Sequence, residues 1–112
     1  MNLFDRGKTA RIDEFALKLA GNLAERYPPD LENSQPKRRN PQRLAKAFDA
    51  TFNNAIQFQR ENKLGIYGKA RLGNTFKWEL KRLGYPDDFV DLTTTSLVKF
   101  VAVQRSTEQD AK

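Results

Sequence analysis

Proline and glycine cut this chain into four stretches of helical periodicity, with breaks at Pro28–Pro29, Asn40–Pro41, Gly65 to Gly68 and Gly84–Tyr85–Pro86. Proline cannot extend a helix beyond its first turn, and glycine accepts the left-handed conformation in which helices end. Between the breaks, apolar residues recur every three or four positions, the spacing of one helix face. Over 10–27, Ile12, Phe15, Ala16, Leu19, Leu23 and Tyr27 line one side, with Arg11, Glu14, Lys18 and Glu25 opposite. Over 41–63 the stripe is Leu44, Phe48, Phe52, Ala55 and Ile56, with Phe58 at its edge and Lys46, Asn53, Gln57 and Arg60 opposite. Asn40 is a good cap and Pro41 is harmless at the first helical position, while Gly65 reads as the left-handed terminator.

The third helix is expected over 68–83, opened by Gly68, carrying Leu72, Phe76, Leu80 and Leu83 inward and capped by Gly84. The fourth, over 87–104, is the ambiguous one. Thr93, Thr94, Thr95, Val98, Val101 and Val103 are β-branched and suit a strand equally well. Spacing decides for a helix: Phe89, Leu92, Ser96, Phe100 and Val103 recur at helical intervals, widened by Leu97 and Val101, and Asp87 and Asp88 sit where a helix start favours negative charge. A break near the threonines is allowed for. The run 28–40 has only Leu31 to bury and reads as a loop, and 105–112 has nothing to bury and should fray. The expectation is an all-α fold, a compact antiparallel bundle of about four helices forming a single domain over 1–104.

With 112 residues the chain is long enough to bury a core without staples. It has neither cysteine nor histidine, which excludes disulfides and thiolate metal sites and removes the commonest metal ligand and general base. No metal and no cofactor are expected. Asp5, Arg6 and Lys8 interrupt the start, and Asp91 and Lys99 interrupt the most apolar later run, so neither a signal peptide nor a membrane span is expected. The location expected from this is cytoplasmic.

Charge is distributed unevenly. The stretch from Lys37 to Arg82 holds 12 of the 20 Lys and Arg residues against three acids, Asp49, Glu61 and Glu79, whereas both flanks are mildly acidic. A basic centre of this kind attracts polyanions, because phosphate contacts release condensed counterions whatever the sequence. Two groups carry it. Lys37, Arg38 and Arg39, with Arg43 and Lys46 nearby, form a basic arm entering the second helix. On the third helix, Arg71, Asn74, Lys77, Trp78, Lys81 and Arg82 fall opposite the core stripe together with Tyr67, and Lys69 follows the turn. Cations interleaved with aromatic rings suit nucleic acid, where bases stack on the rings and phosphates meet the cations. Trp78 and Tyr67 equally suit packing under Lys and Arg stems, the commoner fate of large aromatics.

The remaining patterns are weaker. Gly65-x-x-Gly68-Lys69 resembles a phosphate-holding turn but lacks the preceding strand and further glycines of a nucleotide fingerprint. A helix-turn-helix arrangement of the second and third helices is a minority variant of the nucleic-acid reading, since both are long for that motif. The acids Asp13 and Glu14, and Asp87, Asp88 and Asp91, do not converge, since adjacent helical residues point about 100° apart. Ser96 and the threonines have no histidine to activate them, so no enzyme activity is expected. Two functions are carried forward: a non-enzymatic binding module whose basic face meets RNA or DNA, and a helical domain that docks a protein partner or a second copy of itself through Tyr67, Trp78 and Tyr85.

Overall fold

The computed structural model describes residues 6–33 and 40–110, with side chains over 7–33 and 40–102. Helix α1 spans Arg6–Arg26, α2 Pro29–Asn33, α3 Pro41–Glu61, α4 Ile66–Leu83 and α5 Asp87–Asp110. The all-α bundle expected from periodicity is the fold, and no strand occurs among the described residues.

Several boundaries differ from the sequence reading. Helix α1 starts at Arg6 rather than residue 10, and a helical turn, α2, occupies part of the expected loop. Pro29 at the first position and Asp30 and Glu32 in the first turn account for that turn. The left-handed residue after α3 is Lys63, at φ 50°, not Gly65. Gly65 is extended and serves as the cap of α4, which therefore opens at Ile66 rather than Gly68. Helix α5 passes the threonines without a break, and its backbone stays helical to Asp110 instead of fraying from 105. Burial of Thr93 and Leu97 against the core outweighs the β-branched preference there.

Consecutive long helices alternate in direction. Arg43 near the start of α3 reaches the carbonyl of Arg26 at the end of α1, and Phe15 stacks on Phe58. Lys81 lies by Asp87 and Lys77 by Asp91, so α4 and α5 are antiparallel. Helices α1 and α4 run side by side in the same direction, as do α3 and α5, the latter joined by Phe48–Phe89 and Phe52–Phe100. Each of α1 and α5 packs on both α3 and α4. The shared core comprises Ile12, Leu19, Leu23 and Tyr27, then Ala47, Phe52 and Ala55, then Leu72, Phe76 and Leu80, then Phe89, Val90, Leu97 and Val101. Each large side chain among them contributes about 1.5–3 kcal/mol by leaving water. On α5 the inward stripe is 89, 90, 93, 97 and 101; Leu92 and Phe100, expected inside, are exposed.

One end of the bundle is tied by polar contacts. The Tyr85 hydroxyl donates to the Tyr27 carbonyl, the Tyr27 hydroxyl donates to Glu32 Oε1 at 2.8 Å, and Asn33 Nδ2 donates to the Gly84 carbonyl at 2.8 Å. Gly84 adopts φ 104°, the left-handed cap expected after α4. These bonds fix the C-terminal end of α1, the turn α2 and the junction between α4 and α5 beside one another.

Candidate functional site

The cations predicted on the third helix do share one side of α4, but carboxylates meet them there. Arg71 donates from Nε and Nη2 to the two oxygens of Asp13, each at 2.8 Å, and Thr75 Oγ1 donates to Asp13 Oδ1 at 2.9 Å. Arg82 makes the same two-pronged contact with Glu79, at 2.7 and 2.6 Å. Lys77 and Lys81 lie 3.9 Å from Asp91 and Asp87. The guanidinium of Arg71 holds the Asp13 carboxyl below the usual carboxylate range, Arg82 does so for Glu79, and both arginines are raised in return. The expected net positive patch on this face is thereby corrected to a nearly balanced one, with acids recruited from α1 and α5.

The aromatic residues of this face separate. Trp78 is 59 % exposed and Tyr67 58 %, and Ile66 beside Tyr67 is 75 % exposed. Lys81 Nζ stands 5.0 Å from the centre of the Trp78 ring. Trp78 is therefore a surface residue, and the packed alternative for it is removed. Tyr85 is the opposite case: it is 4 % exposed and stacks on Phe89 with ring centres 4.6 Å apart, so it is not part of a docking surface. Asn74 is exposed and Lys69 half-buried.

Other sequence patterns dissolve in the packing. A Cβ on Gly68 would meet Leu64 Cδ2 at 3.1 Å, so this glycine serves close packing rather than an open anion cradle. Helices α3 and α4 do not pack along their lengths, which a helix-turn-helix pair requires. The acids diverge as expected: Asp13 faces Arg71, Glu14 lies 3.4 Å from Lys18, and Asp88 Oδ1 accepts from the Phe89 N–H. No group of three or more acidic residues among the described ones is placed to hold a metal. No helix among them is long and apolar enough to cross a membrane.

A second basic group lies at the tied end of the bundle. Arg26 in the last turn of α1, with Arg43 and Lys46 in the first turns of α3, lines an open cleft of about 340 Å³ completed by Asn40, Gln42 and Ala47. Asn40 Oδ1 accepts the Arg43 N–H at 3.1 Å, capping α3, while the Arg43 side chain donates from Nε to the Arg26 carbonyl at 2.6 Å. That second bond places a cation on the negative end of α1 and uses only Nε of the guanidinium's donors. None of these three cations has a carboxylate within 4.0 Å among the described residues, in contrast to those of α4. Lys37, Arg38 and Arg39 precede Asn40 in the chain and lie outside the described residues.

Arg43 and Lys46 were legible in the sequence as part of the basic arm; Arg26 and Gln42 were not. The available signal for Arg26 was a cation in the last turn of a helix immediately before a proline pair. On the other flank of the α3 start, a cavity of about 350 Å³ is walled by Tyr27, Leu44, Phe48, Phe89 and Leu92, with Glu32 and Asp88 at its edge. Asn40 borders both hollows. Comparison of the chain with protein-family models, curated proteins and solved structures found no match.

Proposed function

We propose that this chain is a non-enzymatic, cytoplasmic binding module for nucleic acid, RNA or DNA, and that it binds through the corner formed by Arg26, Arg43 and Lys46 rather than through α4. The observation carrying this reading is the contrast in charge compensation. Four cations of α4 have carboxylates at 2.6–3.9 Å, whereas the three at the α1–α3 corner have none among the described residues. A phosphate approaching α4 must compete with acids already in place, whereas at the corner no carboxylate among the described residues lies within 4.0 Å of the three cations. The whole chain carries net charge +6, and Lys37, Arg38 and Arg39 precede the same corner in sequence, which adds to the attraction felt at a distance.

Three phosphate contacts imply weak, salt-sensitive binding. The slope of log affinity against log salt is expected at about −2 to −3, with dissociation constants of about 10⁻⁴–10⁻⁶ M near physiological salt. Fluorescence anisotropy of a labelled oligonucleotide across a salt series measures both. Reversing two cations together, Arg26→Glu with Lys46→Glu, should abolish binding while the helical circular dichroism is kept and the melt falls by no more than a few degrees, since both side chains are exposed and Arg26 contributes only its last-turn charge to α1. Binding that survives this double reversal, or that tracks Lys77 and Lys81 instead, overturns the reading.

A second reading rests on a separate observation, the exposure of Trp78, Tyr67 and Ile66 on a face whose charges are balanced. An apolar surface without net repulsion suits a protein partner or a second copy of the chain. Under this reading Trp78→Ala shifts a dimer or complex to monomer in size-exclusion chromatography without lowering the melting temperature. A chain that is monomeric with Trp78 intact, at concentrations well above micromolar and with no partner retained, removes self-association.

A further inference from the structure

We propose that the hollow beside the basic corner is a base pocket, so that the two together accept one nucleotide of a single strand. This inference rests on the nucleic-acid reading above and adds to it the class of nucleic acid and the residues that distinguish it. The basic cleft and the aromatic cavity lie on opposite flanks of the first turns of α3 and share Asn40 as their common border. Their linings are chemically distinct. The cleft presents Arg26, Arg43 and Lys46 with two carboxamides, and the cavity presents Leu44, Phe48, Phe89 and Leu92 with the carboxylates of Glu32 and Asp88 at its edge.

A nucleotide carries the same two chemistries, an anionic phosphate and a flat, largely apolar base. Its phosphate is repelled by Glu32 and Asp88 and drawn to the cations, which leaves the base to cover the apolar wall. Phe48 is half-buried, with the Phe52 ring centre 5.4 Å and the Phe89 ring centre 6.1 Å from its own, and this aromatic packing restrains it as a stacking surface. Leu92 is 63 % exposed in the same wall, although the helical pattern of α5 would place it inside. Glu32 Oε1 already accepts from the Tyr27 hydroxyl and Asp88 Oδ1 from the Phe89 N–H, and because a carboxylate accepts at several lone pairs, an exocyclic amino group of adenine, cytosine or guanine can add to these bonds. A cavity of about 350 Å³ falls at the small end of ligand pockets, which run about 300–1,000 Å³. In a duplex the bases are stacked and paired, so only the phosphate half of the site can be used. The chain is therefore expected to prefer single strands.

The test compares a labelled single-stranded oligonucleotide with the duplex of the same sequence, at one ionic strength, by fluorescence anisotropy. The intact protein should bind the single strand more tightly than the duplex. Leu92→Ala and Leu92→Glu should each weaken the single strand, the latter by about tenfold, and leave duplex binding unchanged by Leu92→Ala. Leu92 is exposed, so both variants should retain the parental melt, which circular dichroism checks. If Leu92→Ala leaves the single-strand preference intact, or if no such preference exists, the base pocket is overturned. Sensitivity to Arg26→Glu with Lys46→Glu would then still uphold the basic corner. If the intact protein binds neither oligonucleotide, the nucleic-acid reading falls and the pocket with it.

Discussion

Arg71 grips Asp13 through two parallel hydrogen bonds of 2.8 Å, joining α4 to α1 across 58 positions of sequence. Thr75, one turn along α4, adds a third bond to the same carboxylate at 2.9 Å. The contact does two things: it sets the register of two helices that run in the same direction, and it cancels a charge that the sequence alone assigns to an open basic face.

That carboxylate makes stability depend on acid. Its pKa is lowered in the folded chain, chiefly by the hydrogen bond from Arg71, against about 3.9 when unfolded. A group depressed in this way stabilises the fold fully above its unfolded value and loses that contribution as the pH falls through the folded one. Asp13→Asn is therefore expected to lower the melting temperature by a few degrees at neutral pH and to flatten the acid limb of a stability profile. Melts followed by circular dichroism between neutral pH and about pH 2 measure this; parallel profiles for the two proteins would refute it.

Tyr85 governs the opposite end of the pH scale. Burial pushes its phenol far above the ordinary value of about 10, and its hydroxyl donates to the Tyr27 carbonyl. Because the folded value is raised, the stabilisation is whole below the unfolded pKa and is lost as the pH rises beyond it. Tyr85→Phe should cost about 1–3 kcal/mol by leaving a buried carbonyl unpaired. In an alkaline absorbance titration, Tyr85 should ionise only as the chain unfolds.

Gly73 allows α4 and α5 to approach closely. A Cβ at this position would lie 2.8 Å from Val98 Cγ2. Alanine gains about 1 kcal/mol of helix propensity over glycine, and overpacking costs about 1–3 kcal/mol, so Gly73→Ala is expected to destabilise on balance. Adding Val98→Ala should remove the clash and return stability to the parental level or above it. Denaturant midpoints of the two variants decide; a stable Gly73→Ala would show that Val98 yields without cost.

Thr93 is fully buried in α5, and its hydroxyl has no hydrogen-bond partner among the described residues. Thr93→Val keeps the shape and removes the unsatisfied group, so it should raise stability by about 1 kcal/mol, or about 4–8 °C in melting temperature. A lower melting temperature would mean that the hydroxyl is satisfied in solution.

The helices were legible because their causes are local. Apolar spacing marked all four long ones, Asn40 and Pro41 marked the start of α3, and Gly84 marked the end of α4. The misplaced boundaries lie where tertiary contacts overrode local preference: Gly68 is drawn into α4 by packing on Leu64 and Ile12, and buried Thr93 keeps α5 continuous past its β-branched run. On the candidate site, Arg43 and Lys46 could be read from a basic run at a helix start, whereas Arg26 joins them only because α1 ends beside the beginning of α3.

Sequence by itself determined which residues form helices and that the middle of the chain carries the positive charge, since both follow from spacing and composition. Tertiary structure alone decided which of those charges remain uncompensated. Arg71, Lys77 and Lys81 acquire carboxylates from α1 and α5, partners up to 58 positions away, while Arg26, Arg43 and Lys46 acquire none among the described residues. Electrostatic interaction depends on distance in space, and only the packing of the helices sets that distance.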